Sequence, residues 1–136
     1  MMRQIEFGFQ YTVQGERIGE EWHQAVAEQA QLLEQILYQL HETVSDVQRS
    51  GVPQERQHAR LCSVFEAAAR VLTSRAQRHA NLESQIATIR RDFSPSHPIP
   101  PGAENRLRVM EQVNATMHAN LARARQRVDI LRQATR

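Results

Sequence analysis

Residues 4–14 alternate between two kinds of side chain. Ile5, Phe7, Phe9, Tyr11 and Val13 are apolar or aromatic, with Gln4, Glu6, Gly8, Gln10, Thr12 and Gln14 between them. A period of two marks a strand with one covered face, and it predicts an N-terminal β-strand arm within residues 1–18, broken by Gly15 and Gly19. The period then becomes helical. Val26, Leu33, Leu40 and Val47 recur every seven residues, and Ala30, Ile36, Leu37 and Val44 widen the stripe. This predicts a helix over 19–49 whose apolar face is broad enough for two neighbours. Ser50-Gly51-Val52-Pro53 supplies a stop and a restart, since glycine suits a left-handed cap and proline the first turn of a following helix.

A second helix is expected over 53–91, with Leu61, Phe65, Ala68, Leu72, Leu82, Ile86 and Ile89 on one face, interrupted by Arg75 and His79. The link before it is so short that helices one and two must be antiparallel neighbours. Residues 92–102 hold four prolines, which favours an extended, semi-rigid polyproline linker. The third helix, over 103–134, has the most regular heptad. Leu107, Asn114, Leu121 and Val128 share one core position, and Met110, Met117, Ala124 and Leu131 the other. The pattern as a whole is mainly α. It implies an antiparallel three-helix bundle, or an elongated coiled-coil-like hairpin, over residues 19–136 with the strand arm ahead of it.

A lone strand has unpaired backbone groups on both edges. No other segment reads as a strand, so the arm is expected to pair outside its own chain, with a two-fold mate or with a strand edge of another protein. An extended arm laid on the helices is the alternative. Asn114, the single polar residue in the third helix's seam, is a candidate for fixing register and oligomeric state. The predicted interface therefore comprises Ile5, Phe7, Phe9, Tyr11 and Val13 of the arm, with Leu107, Met110, Asn114, Met117, Leu121, Val128 and Leu131 of the third helix.

Charge changes this picture. All 17 basic residues are arginine, through either a coding bias or selection against lysine-directed modification. Residues 1–50 hold three arginines against eight acids, whereas 54–91 and 103–136 each hold seven arginines against three acids. In a parallel self-pair of the third helix Arg127 would face Arg132, so pairing with the acid-rich first helix is expected instead. Arginine-rich faces also attract phosphate. The order of a strand followed by helices resembles the ribbon-helix-helix DNA binders. However, the residues pointing out of this strand lack a base, and Glu6, Glu16, Glu20 and Glu21 would crowd the phosphates, which makes nucleic acid the weaker partner.

Catalytic signals are sparse. Glu20-x-x-His23 and Glu55-x-x-His58 match the spacing of di-iron bundles, but they open antiparallel helices and so lie roughly 45 Å apart at ~1.5 Å per residue. His79 and Glu83 make two ligands at most. Cys62 follows the core residue Leu61 and reads as a small buried hydrophobe. There is no glycine-rich phosphate loop and no Ser/His/Asp arrangement, so neither an enzyme nor a cofactor is expected. One cysteine, no apolar run near ~18 residues and no signal-peptide pattern fit a cytoplasmic chain, or one exported without a cleaved signal. The leading expectation is a non-enzymatic assembly protein (subunit, adaptor or inhibitor) that binds protein partners and forms a homo-oligomer, with a dimer favoured. A chaperone or secreted component of a bacterial export system is the second reading. The size and three-helix layout are similar to flagellar export chaperones, although the leading strand departs from that pattern. A dimeric DNA-binding protein is the third.

Overall fold

The computed structural model describes residues 7–15 and 18–135, and Ile5 falls outside them. Three helices follow one another: α1 (Glu20–Arg49), α2 (Gln54–Arg91) and α3 (Pro101–Ala134). Glu20 and Glu21 sit in the first turn of α1, and Arg90 and Arg91 in the last turn of α2, where each charge complements the helix dipole. Between α1 and α2, the Ser50 hydroxyl bonds the Val47 carbonyl at 2.7 Å and Gly51 turns the chain with φ 73°.

The helices run up, down, up, so α1 and α3 are parallel. Val26 of α1 packs with Val113 of α3, and the Gln29 amide donates to the Met117 carbonyl at 2.9 Å. The large core joins Leu33, Leu37 and Leu40 of α1 to Phe65 and Leu72 of α2 and Leu121 of α3. A smaller one, Val13, Val26, Val109 and Val113, lies nearer the start of α1, with Ile18, Trp22 and Met117 packed on it. The wide apolar stripe of α1 is thus covered from two sides, as a broad apolar face requires.

Four expectations are corrected or made specific. First, residues 7–15 form no strand. They lie extended along the groove between α1 and α3, with Phe7, Phe9 and Val13 buried in the chain's own core. Second, the third helix's seam is filled within the chain itself. Leu107, Asn114, Leu121 and Val128 are buried within the bundle, and Met110, Met117 and Leu131 are half-buried there. Val109, Val113 and Asn120 are buried as well, because α3 faces α2 on one side and α1 with the arm on the other. Third, the proline segment is not extended throughout. Ser94 and His97 exchange backbone hydrogen bonds of 3.1 and 2.9 Å, with Pro95 at the turn position its fixed φ suits. Fourth, Ile89 is 42% exposed. Its neighbour Arg90 is the residue whose side chain reaches α3.

Candidate protein-interaction site: the arm and its groove

An extended segment off a sheet must find partners for its peptide groups or leave them to water. Here helix side chains supply them. The Asn120 carboxamide accepts from Gln10 N–H at 2.9 Å and donates to Gln10 C=O at 2.9 Å. Its second hydrogen goes to Gln29 Oε1 at 3.2 Å, so a side chain only 2% exposed has its bonding positions filled. Arg123 Nε donates to the Phe7 carbonyl at 3.0 Å, and His23 Nδ1 accepts from Val13 N–H at 3.2 Å. The anchors run from Arg123 through Asn120 to His23, so the arm is antiparallel to both helices it touches.

Side chains complete the fit. The alternation read from the sequence survives as geometry, with Phe7, Phe9 and Val13 turned inward and Gln10, Thr12 and Gln14 outward. The Phe7 ring lies 6.0 Å from Phe9 and 6.2 Å from His41. Desolvation in that contact lowers the His41 pKa. Tyr11 is 36% exposed. Its phenol is still pushed up to about 12, by partial desolvation, by its hydrogen bond to Glu34 and by that carboxylate's charge. Gly8 has φ +79°, and a Cβ there would come within 2.6 Å of the Arg123 guanidinium. Arg123 thus reaches the Phe7 carbonyl across a residue that must lack a side chain.

Two further polar arrangements tie α2 to α3. The His79 ring donates from Nδ1 to Asn114 Oδ1 at 2.8 Å, and Asn114 Nδ2 donates to the His79 carbonyl at 2.9 Å. Asn114 thus pairs with the residue that interrupts the α2 face. His118 stacks on His79 at 6.5 Å and borders an open cleft of about 560 Å³ with Glu83 and Gln112 over Ile86, Ala115 and Ala119. Nearer the α2–α3 link, Arg90 grips Glu104 at 2.9 and 3.1 Å and Glu111 at 2.6 Å, while Arg108 adds a bond to Glu104 at 3.1 Å.

The expected pairing of acidic α1 with basic α3 is not realised as ion pairs. Among the described residues the acids of α1 make one ion pair, Asp46 with Arg49 of the same helix. The remaining pairs join Arg90 and Arg108 to Glu104 and Glu111. Packing and amide clamps hold α1 to α3 instead.

Catalytic candidates stay apart. Among the described residues no three His, Cys, Asp or Glu side chains gather as a metal site. Cys62 is half-buried, not buried, and its Sγ lies 3.6 Å from His58 Nε2, one turn earlier. No helix among the described residues is long and apolar enough to cross a membrane. Of the residues predicted for an interface, the structure brings Phe7, Phe9 and Val13 together with α3. It leaves Tyr11 partly outside. Asn120 and Arg123, neither of which the sequence pattern marks as an interface residue, hold the arm. The available signal was asparagine in a helix interior, where its propensity is poor. Comparison with family models, with curated proteins and with solved structures finds no match to this chain.

Proposed function

We propose that the chain is a non-enzymatic protein-interaction and assembly protein, acting through its N-terminal arm and amphipathic helices. The observation that carries this reading is the two-point contact of Asn120 with both peptide groups of Gln10. A sheet edge recognises an incoming strand through N–H and C=O groups and selects it through pockets for alternate side chains. The α1/α3 groove has both elements. Asn120, Arg123 and His23 bond backbone, and the core accepts Phe7, Phe9 and Val13. The groove is thereby a receptor for an extended peptide, with the chain's own arm as its resident ligand.

The test uses the full chain with Phe7→Asp and Phe9→Asp, which removes the apolar anchors of the resident arm. A fluorescent peptide spanning residues 5–15 is then titrated into it, with circular dichroism checking that the helices remain. Saturable binding that Asn120→Ala weakens at least about tenfold, the equivalent of ~1.4 kcal/mol, supports the reading. Absence of saturable binding to the folded variant refutes it.

A further inference from the structure

We propose that the α1/α3 groove is an exchange site, in which the arm of a second copy of this chain replaces the resident arm and two chains strap one another reciprocally. This rests on the reading of the groove as a peptide receptor and names its partner.

Three observations lead there. Each hydrogen bond that fixes the arm's backbone at Phe7, Gln10 and Val13 ends on a side chain of α1 or α3. Covalent connection to α1 contributes nothing to those contacts, so an arm arriving from another chain makes the same set. The ligand's identity follows from complementarity. The groove accommodates Phe7 against Phe9 and His41, requires no side chain at Gly8 beneath Arg123, and takes Val13 among Val26, Val109 and Val113. A second copy carries that spacing of aromatic, glycine and valine by construction.

The third observation is Gly15, where the arm ends. Gly15 has φ +149°, and a Cβ on it would lie 2.7 Å from Gln112 Oε1. The folded-back form thus depends on a residue without a side chain at one point. A β-branched residue strains that backbone, which favours a chain that continues outward, the geometry of exchange between protomers. In the native chain the attached arm competes at an effective concentration on the order of millimolar. Exchange is therefore a minority state in dilute solution and grows with protein concentration.

Gly15→Val shifts this balance without touching an arm contact. The expected result is a dimer, twice the 15.7 kDa chain mass, by light scattering at concentrations where the native chain is monomeric. Adding Asn120→Ala should return it to a monomer. A folded Gly15→Val chain that stays monomeric to about millimolar, or a dimer that survives Asn120→Ala, overturns the proposal. Should Gly15→Val fail to fold, the native arm is read directly. A chain with Cys62→Ser and a nitroxide on Arg125→Cys is mixed with isotope-labelled native chain at high concentration. Broadening of the labelled chain's amides at residues 7–13 indicates an arm seated on another copy's α3; their sharpness throughout overturns exchange. If the free peptide binds the emptied groove but chains do not exchange, this proposal falls and the receptor reading stands. Failure of both removes both.

Discussion

Asn120 holds Gln10 by its two peptide groups, at 2.9 Å each, across 110 residues of chain. Replacing it by alanine leaves Gln10 N–H, Gln10 C=O and Gln29 Oε1 short of a partner in a partly buried setting. Each buried unmet group costs about 1–3 kcal/mol, offset where water enters. Asn120→Ala should therefore lower stability by roughly 2–4 kcal/mol in urea unfolding, with faster amide exchange at residues 10 and 13.

Leu72 and Val71 are adjacent on α2 but face opposite ways, with exposures of 0% and 45%. Leu72→Ala opens a cavity between three helices and should cost about 2–5 kcal/mol. Val71→Ala should stay within about 0.5 kcal/mol. Paired denaturation curves check this, and similar losses at both sites would show that α2 is rotated from the orientation described.

His41 is held neutral by desolvation against the arm, so its folded pKa lies below the ordinary 6.5. Its contribution to stability is complete above 6.5 and is lost as pH falls through the lower, folded value. Thermal unfolding between pH 7 and pH 5 should show a falling midpoint. His41→Gln should flatten that fall, and an unchanged slope would remove His41 as its source.

Glu104 titrates below its ordinary range because Arg90, and then Arg108, donate hydrogen bonds to its carboxylate. Stability from this group is present above 4.5 and is lost as pH falls through the folded value. Arg90→Met should raise the Glu104 titration midpoint in carbon-detected NMR and speed amide exchange in the first turns of α3. Added salt should reproduce part of the effect, since these side chains are partly exposed. A Glu104 midpoint that does not move would show that the pair is not formed in solution.

The helices are legible in the sequence because their causes are local. Gly51, Pro53 and the prolines of 92–102 interrupt, and the three-to-four-residue spacing of Leu33, Leu37, Leu40 and Val44 names a face. The seam of α3 is legible only as a covered face. A heptad states that Leu107, Leu121 and Val128 are covered but not by what, and α1, α2 and the arm of the same chain suffice. The arm is half legible. Its alternation gives the inward set Phe7, Phe9 and Val13, while strand pairing is inferred from the absence of a second strand. Side chains can stand in for a strand's edge, and no pattern within residues 4–14 points to Asn120. His79 and Asn114 show the same limit: each looks like a flaw in an apolar face, and each is there for the other.

The distance in sequence between the arm and α3 has a consequence for how the protein is made. A ribosome adds about 5–20 residues per second, so Phe7, Phe9 and Tyr11 have left it on the order of 5–20 s before Asn120 and Arg123 exist. Through that interval α1 and α2 can form their hairpin, but the groove has only one wall. Contacts this distant in sequence are also slow to close in refolding. The nascent chain therefore passes through a stage with three aromatic side chains ahead of α1 and no complete groove of its own to receive them, and neighbouring chains on one message stand at the same stage.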